Sequence, residues 1–329
     1  MNSLQGKVVV VTGASSGLGR AAATQLSRKG SRVVLAARRR PALEETAELC
    51  RKAGGEALVV ETDVTDEAAV QRLGEQALGL NGRIDVWVNN AGVSAFGQLS
   101  DVPSEVHRRV IETNLFGAMY GARVVLPIFK RQREGVLINV GSVLSQIGQP
   151  YVPSYVISKF GLRGLTETLR SALADEPDIH VCSLLPYAID TPHFETGANY
   201  VGLGPHAMAP MQSPEKVAQA LVALIERPRR ELRVPRIAGL GLALHALFPH
   251  LVEKTVLHLV REWHFDFVRE KPNTGNVFLP TDQVAHVHGA RPARIGLPGL
   301  IAWAAVHFLR MAAGKNRPAH ASLRPHSSV

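Results

Sequence analysis

Short apolar runs alternate with helical segments along the first two thirds of the chain. Each run is mostly apolar, and in the first, 7–11, four valines follow Lys7 without a break, which is typical of a strand buried on both faces of a parallel sheet. The runs span 7–11, 32–37, 56–61, 84–88, 135–140 and 179–185, and helical composition spans 20–29, 44–52, 68–80, 103–131 and 154–174. The alternation predicts an α/β fold with a doubly wound parallel sheet of about seven strands, joined by right-handed crossovers.

A glycine-rich turn follows the first predicted strand directly, and a helix is predicted to begin after it. The order of strand, glycine turn and helix is typical of a pyrophosphate site in a Rossmann-type fold. Glycines let the backbone approach the phosphates, and the helix N-terminus offers amide donors. A plain glycine turn is the alternative. We expect the cofactor phosphates to be held by Gly13, Ser15, Ser16, Gly17, Leu18 and Gly19.

The end of the second predicted strand indicates which nicotinamide cofactor is used. In dinucleotide-binding folds a carboxylate at this position holds the ribose 2′-hydroxyl. The chain has Ala37 there, followed by three arginines at 38–40. The position therefore offers no acid to repel a 2′-phosphate, and an arginine can bind one through two parallel hydrogen bonds. The pattern favours NADP(H) over NAD(H), with Arg38 as the first candidate; a solvated basic loop is the alternative.

Small and polar residues follow two further strands at the same predicted edge of the sheet. Asp63 and Val64 come after the third strand, and Asn90, Ala91 and Gly92 come after the fourth. The carboxyl ends of parallel strands form the ligand edge of an open sheet. We expect these residues to line the nucleotide site, although an ordinary asparagine turn has the same composition.

Tyr155 and Lys159 are four residues apart, so on a helix they share one face. A free tyrosine has a pKa of about 10, and a neighbouring cation favours the phenolate. Lowering the pKa to roughly 7 would let the tyrosine exchange a proton with an alcohol or ketone oxygen. The alternative is an interfacial tyrosine beside a solvated lysine. Ser154 is predicted to cap this helix.

Taken together and in order, these motifs resemble the short-chain dehydrogenase/reductase family over about residues 5–230. The resemblance rests on the turn from Thr12 to Gly19, Asp63, the run 89–92, Asn114, Ser142 and Tyr155-x-x-x-Lys159. It implies that Tyr155 is the general acid/base and that Lys159 lowers its pKa and binds the nicotinamide ribose. It also implies that Ser142 hydrogen-bonds the substrate oxygen and that Asn114 holds a water for proton relay.

The segment after the sixth strand departs from the family pattern. The family usually has Pro-Gly here, whereas this chain has Pro186-Tyr187, and the ring is expected to reshape or cap the pocket. The resemblance implies that Pro186, Ile189 and Thr191 approach the nicotinamide, Thr191 at its carboxamide. The following loop, 191–211, is rich in apolar residues and suggests an apolar carbonyl or alcohol substrate. His193 and His206 are interpreted as polar loop residues, and no metal is expected.

The last third of the chain differs in charge from the rest. Residues 1–226 carry 22 basic and 22 acidic side chains, whereas residues 227–329 carry 15 and 6. We predict a catalytic domain over 1–236, an apolar and basic helical extension over 237–315, and a disordered tail over 316–329. The apolar runs 237–252 and 295–309 are too short to span a membrane. They either make peripheral membrane contact or pack on the domain or a second subunit.

The remaining features limit the classes of function. Cys50 and Cys182 suit neither a disulfide framework nor a zinc site, and the N-terminal segment lacks a signal-peptide pattern, so we expect a cytoplasmic location. The basic excess lacks the aromatics of a nucleic-acid binder, so no nucleic-acid partner is expected. A homo-oligomer paired through helices near 105–130 and 154–174 is expected from the resemblance. A non-catalytic nucleotide-binding protein that acts through its tail is the alternative to an enzyme.

Overall fold

The computed structural model describes residues 3–235, 238–281, 286–291 and 293–312. Its main sheet has seven parallel strands in the order β10-β7-β6-β4-β1-β2-β3, so the strand order reverses between β1 and β4. The strands are β1 (Val8–Thr12), β2 (Arg32–Ala37), β3 (Glu56–Glu61), β4 (Val86–Asn89), β5 (Ala95–Phe96), β6 (Gly135–Val140), β7 (Ile179–Pro186), β8 (Ala198–Asn199), β9 (Leu203–Pro205), β10 (Glu231–Val234) and β11 (Phe265–Arg269). The predicted doubly wound sheet of about seven strands is confirmed.

Helices cover both faces of this sheet. They are α1 (Gly17–Arg28), α2 (Arg40–Lys52), α3 (Glu67–Asn81), α4 (Ser104–Ile111), α5 (Gly117–Gln132), α6 (Pro153–Ala172), α7 (His193–Thr196), α8 (Pro214–Glu226), α9 (Ala238–Leu247), α10 (Pro249–Trp263) and α11 (Leu297–Ala312). Val9 and Val11 pack into one core with α1, α2 and α8, while Val8 and Val10 pack into the other with α3 and α5. Each strand therefore feeds two cores, which explains why its apolar run is continuous.

Two helix predictions need correction. The single helix expected over 103–131 is two helices, α4 and α5, joined by a π-helical turn at Glu112–Phe116 that contains Asn114. π-Helical turns are rare, and those that occur are often found at functional sites. Ser154 does not cap α6, because the helix begins one residue earlier at Pro153. Proline suits the first turn of a helix, where its missing N–H is not needed, and the Ser154 hydroxyl is buried without a partner.

The C-terminal extension adds helices and one strand. After β10, helices α9 and α10 lead into β11, which pairs with β9 in the loop after β7. Pro249, within the first apolar run, begins α10. No helix within the described ranges is long and apolar enough to cross a membrane. The predicted disordered tail over 316–329 lies outside the described residues.

Candidate active site

The glycine turn lies at the N-terminus of α1, beside the point where the strand order reverses. Gly13 has a φ of +67°, and a Cβ there would stand 2.8 Å from the Cα of Ala91. The hydroxyl of Thr12 accepts hydrogen bonds from the amides of Asn90 and Ala91 at 3.0 and 3.1 Å. The ends of β1 and β4 are thereby fixed against each other. This backbone cradle fits a dinucleotide pyrophosphate.

One cavity of about 260 Å³ runs along this edge of the sheet. Every predicted cofactor-binding residue lines it: Gly13, Ser15, Ser16, Gly17, Leu18, Gly19, Arg38, Asp63, Val64, Asn90, Ala91, Gly92, Tyr155, Lys159, Pro186, Ile189 and Thr191. Ser142 lines it as well, whereas Asn114 lies behind the wall and only its neighbour Thr113 reaches the surface. The topology therefore brings together residues that are up to 178 positions apart, from Gly13 to Thr191. We call this cavity the cofactor cleft.

Tyr155 and Lys159 lie on the first turns of α6 near the end of β6, where Lys159 is buried and Tyr155 is partly buried. Ser142 and Tyr155 line the same end of the cleft, and the Ser142 hydroxyl acts to lower the pKa of Tyr155. The Lys159 ammonium donates to the carbonyl of Val140 at 2.8 Å, and its Nζ lies 5.4 Å from the Tyr155 ring centroid. Ser142 also accepts a bond from the amide of Leu144 at 3.1 Å. These contacts bring two hydroxyls and an ammonium to one end of the cofactor cleft.

Burial sets the protonation of this pair. It raises the pKa of Tyr155 to about 12, while the Ser142 hydroxyl acts in the opposite direction. It also lowers the pKa of Lys159 to about 8. The expected lowering of the tyrosine pKa by the lysine is therefore wrong for this structure. Because burial disfavours the phenolate, Tyr155 holds its proton at neutral pH.

Asn114 joins the segment after β4 to α6. Its side-chain oxygen accepts from the amide of Val93 at 2.8 Å, and its nitrogen donates to the carbonyl of Val93 and to Ser158, both at 3.0 Å. A Cβ on Gly92 would stand 3.3 Å from the Asn114 oxygen and 3.8 Å from Lys159 Nζ. Asn114 is thus close to the lysine, and its side-chain amide is engaged by protein groups.

Arg38 lines the cofactor cleft but is hydrogen-bonded to the C-terminal extension. Its guanidinium donates to the carbonyls of Asn276 and Phe278 at 2.6 and 3.0 Å. Farther along the extension, the carbonyl of His286 accepts from the amide of Gly17 at 2.9 Å. We call residues 276–281 and 286–291 the C-terminal strap. The sequence gives no local sign of these contacts, because the partners are about 240 residues apart.

A second, smaller cavity of about 80 Å³ adjoins the cleft at its Tyr155 end. Both cavities are lined by Ser142, Tyr155, Tyr187, Ala188, His193 and Phe194. His193, interpreted from sequence as a polar loop residue, bonds the Ser94 hydroxyl at 2.6 Å, and its ring lies 5.7 Å from that of Tyr155. Burial lowers the pKa of His193 to about 4, with the Lys159 charge acting the same way. A neutral imidazole therefore stands beside the tyrosine.

Tyr187, the departure from the family pattern, also lies on the wall of both cavities. Its backbone amide donates to the carbonyl of Val234 at 2.9 Å, and burial raises its hydroxyl pKa to about 12. The ring thus narrows the region where the two cavities meet. His264 and Met208 complete the smaller cavity from the extension and the loop after β7. His264 was not singled out from the sequence, since its segment has no motif.

A glycine turn at the switch point of a doubly wound sheet, with a buried Tyr–Lys pair at the same edge, defines the class of nucleotide-dependent oxidoreductases. The short chain dehydrogenase family model matches residues 7–199. The uncharacterised oxidoreductase YxnA of Bacillus subtilis is 38% identical over 257 residues, covering 77% of this chain and 72% of its own. The chain therefore belongs to the short-chain dehydrogenase family and is an oxidoreductase acting on CH–OH or C=O groups.

Solved structures agree with this assignment. An alcohol dehydrogenase from Thermococcus sibiricus, solved with 5-hydroxy-NADP, superposes with a TM-score of 0.62 at 30% identity, covering 70% of this chain and 96% of its own. A short-chain dehydrogenase/reductase from Burkholderia phymatum, solved with NAD, superposes with a TM-score of 0.68 at 28% identity, covering 76% and 96%. The family binds nicotinamide cofactors, and these two structures differ in which one they hold.

Proposed function

We propose that the chain is an NADP(H)-dependent oxidoreductase that interconverts an apolar ketone or aldehyde and its alcohol. The observation that carries the proposal is that Ser142, Tyr155 and Lys159 line one end of the cofactor cleft together, with Lys159 Nζ 5.4 Å from the centroid of the Tyr155 ring. Among the described residues, no cluster of side chains suited to a metal ion is present. The bound nicotinamide supplies or accepts the hydride.

The residues of this site have distinct roles in the proposed reaction. Ser142 donates a hydrogen bond to the carbonyl oxygen and orients it toward Tyr155. Tyr155, protonated because its pKa is about 12, gives its proton to the oxygen as the hydride reaches the carbon. Lys159 holds the nicotinamide ribose and stabilises the phenolate that remains. Asn114 fixes the segment behind Lys159, and a water near it returns the proton.

The preference for NADP(H) is supported by the residues after β2. Ala37, Arg38 and Arg39 line the cleft there, so the position that would hold a ribose-binding carboxylate has none. Arginine can pair with a 2′-phosphate in a bidentate manner. In this structure Arg38 bonds two strap carbonyls, so the proposal includes an exchange of those bonds for the phosphate. The relatives' cofactors differ, and the choice rests on this chain's own residues.

An apolar substrate is proposed from the walls of the smaller cavity. Its lining includes the apolar or aromatic side chains of Phe96, Val143, Leu144, Val152, Tyr187, Ala188, Phe194 and Met208. Among the described residues that line it, none carries a full charge. Transfer of an apolar body from water into such a site is favourable in proportion to the area buried. A neutral carbonyl compound with an apolar body fits these walls better than a sugar or a phosphate ester.

The assembly and location of the protein are also proposals. We propose a cytoplasmic homo-oligomer whose catalytic domain spans 1–236 and whose extension spans 237–315. Leu244, Leu247 and Phe248 are exposed near the end of α9, and Ile301 is exposed on α11. Exposed apolar groups of this kind suit peripheral membrane contact or a second subunit. Nothing in the site calls for a nucleic-acid partner.

Replacement of Tyr155 tests the proposed function. With NADPH and a panel of apolar ketones and aldehydes, we expect the wild-type chain to oxidise the cofactor and Tyr155→Phe to lose about 10²- to 10⁴-fold in kcat, because the proton donor is gone. NADPH should still bind and raise the Tm of both proteins. Activity is followed by absorbance of the reduced nicotinamide, with NADH run in parallel.

Tyr151→Phe is the matched control. Tyr151 is a buried tyrosine that lies just before α6. Its ring packs against Phe265, and it lines neither cavity. This variant should keep wild-type turnover. Full turnover by Tyr155→Phe would refute the mechanism. Cofactor binding without turnover of any carbonyl would favour the non-catalytic nucleotide-binding alternative, and equal use of NADH and NADPH would refute the argument from Arg38.

A further inference from the structure

His264 is a buried side chain that the proposed reaction does not use. It is the last residue before β11, is only 2% exposed and lines the smaller cavity. Among the residues that the structure describes, neither ring nitrogen has a hydrogen-bond partner. Buried polar groups in folded proteins are nearly always hydrogen-bonded, so each exception calls for an explanation. One explanation is a ligand that supplies the missing partner when it enters the cavity.

The surroundings of this ring are aromatic rather than polar. The rings of Phe96, Phe194 and Phe265 lie around it with centroid distances of 5.8, 6.0 and 5.0 Å. Burial lowers the pKa of His264 to about 4, while the backbone of His206 acts weakly in the opposite direction. The ring is therefore neutral, with one N–H donor and one bare acceptor.

His193, the second histidine that lines this cavity, differs from His264 in its hydrogen bonding. His193 is only partly buried, and one of its ring nitrogens is bonded to Ser94 at 2.6 Å. His193 is thus fixed by the protein, whereas His264 is held in place by packing alone. The cavity that His264 lines is also lined by Ser142 and Tyr155, so one small ligand can contact both ends of the site.

We infer that His264 is a specificity-determining residue that hydrogen-bonds a second polar group of the substrate. The substrate would be a neutral, mainly apolar molecule with the reacting carbonyl at Ser142 and Tyr155 and a hydroxyl or second carbonyl at His264. This inference rests on the proposed function for the position of the reacting carbonyl. A charged second group is disfavoured because no described residue of this cavity could neutralise it.

Matched ketones that differ only in a hydroxyl or a methyl group test this inference. Two pairs of different length are used with NADPH and the full chain: 4-hydroxy- and 4-methylacetophenone, and 6-hydroxy- and 6-methyl-2-acetonaphthone. We expect the wild-type kcat/KM to favour the hydroxyl member of at least one pair by roughly tenfold, since the methyl member leaves a buried donor or acceptor unpaired. His264→Phe, which keeps the aromatic packing, should reduce this ratio to near one.

Two controls accompany the kinetics. His264→Phe should lose less kcat/KM on the methyl ketones than on their hydroxyl partners, because the methyl ketones make no hydrogen bond at that position. His264→Gln restores a donor and an acceptor and should recover part of the preference. A ratio near one for wild type in both pairs, or an unchanged ratio in His264→Phe, would overturn the inference while leaving the proposed reductase activity intact.

A binding measurement separates this inference from the proposed function. In the NADP⁺-loaded protein with ¹⁵N-labelled histidine rings, the His264 signals are assigned by their absence in His264→Phe. The hydroxyl ketone should shift these signals and its methyl partner should not. If none of the four ketones is reduced but the shift is seen, the substrate site is supported and the reductase proposal fails. If the signals stay in place with bound hydroxyl ketone, the inference fails.

Discussion

Lys159, the lysine of the active site, is buried, and burial disfavours its charged form. Lys159 is only 4% exposed, and its ammonium donates a hydrogen bond to the carbonyl of Val140. Its pKa falls from 10.5 to about 8, which corresponds to a desolvation penalty on the order of 3 kcal/mol. The site therefore keeps a cation beside Tyr155 at the expense of the stability of the fold, as functional sites often do.

Lys159→Met is expected to stabilise the protein while removing its activity. At pH 7 the folded wild type carries the buried charge, so the variant should gain on the order of 1–3 kcal/mol in the free energy of unfolding, reduced by the lost bond to Val140. The folded pKa lies below the unfolded one. The gain should therefore shrink as the pH rises from about 8 toward 10.5, where both states lose the proton.

Urea unfolding at pH 7 and pH 10 measures this difference. Lys130→Met is the control, because Lys130 is exposed on α5 and should change the stability little at either pH. A variant at position 159 that is less stable than wild type at pH 7 would show that the ammonium contributes net favourable contacts. The NADPH-dependent reductase rate should fall at least 100-fold in Lys159→Met and stay unchanged in Lys130→Met.

At the scale of elements, the strap connects the extension to three parts of the cofactor cleft. It contacts Arg38, the amide of Gly17 and the segment after β7, where His288 Nδ1 and Nε2 lie 2.9 and 3.0 Å from carboxylate oxygens of Asp190 and Glu215. These two carboxylates raise the pKa of His288 above its usual value. Only the imidazolium can donate to both at once, so protonation favours the closed strap.

The strap leads to a prediction about cofactor release. His288→Gln is expected to speed the dissociation of NADPH several-fold at pH 6. The strap lines the cleft, and the neutral glutamine cannot replace the charged contacts of His288 with Asp190 and Glu215. In wild type this contribution is fully present below pH 6.5 and is lost as the pH rises through the raised pKa of His288. The wild-type rate should therefore approach that of the variant at higher pH.

Stopped-flow fluorescence of NADPH measures these rates. His250→Gln is the matched control: its side chain is 95% exposed on α10, and the change should leave the dissociation rate and its pH dependence as they are. Equal rates for wild type and His288→Gln at pH 6 would show that the strap does not hold the cofactor. Both variants keep all residues of the cleft wall, so the comparison isolates the contact of the strap.

How far the sequence predicted each element depended on the range of its contacts. The turn from Gly13 to Gly19 is local, and strand ends such as Asp63 and Asn90 share one edge in any parallel sheet, so their positions followed from the pattern. The strap and His264 are brought to the site by the pairing of β11 with β9. The hydrophobic periodicity of the sequence does not predict this pairing. The tyrosine pKa was predicted in the wrong direction because burial, unlike spacing, depends on the whole fold.

At the scale of the whole molecule, an apolar surface is exposed on α6, the helix that carries Tyr155 and Lys159, and on the π turn before α5. Ile157 and Phe160 are 53% and 44% exposed on α6, and Phe116 is 41% exposed in the π turn before α5. Ile157 and Phe160 are three residues apart, so they share the face of α6 opposite to the buried side. An exposed apolar helix face of this kind suits pairing with the same face of a second copy, as expected for the proposed homo-oligomer.

Phe160→Glu should therefore separate the oligomer. A two-fold interface brings the same position from both copies close together, so one substitution places two carboxylates in an apolar contact that lacks a counter-charge. Light scattering after size exclusion should show wild type as a multiple of the 35.5 kDa chain and the variant as a single chain. Leu49→Glu, a similar change on α2 in the other helical layer, should leave the mass unchanged. If Phe160→Glu keeps the wild-type mass, the oligomer must form through another surface, and the exposed apolar residues of α9 and α11 become the next to substitute.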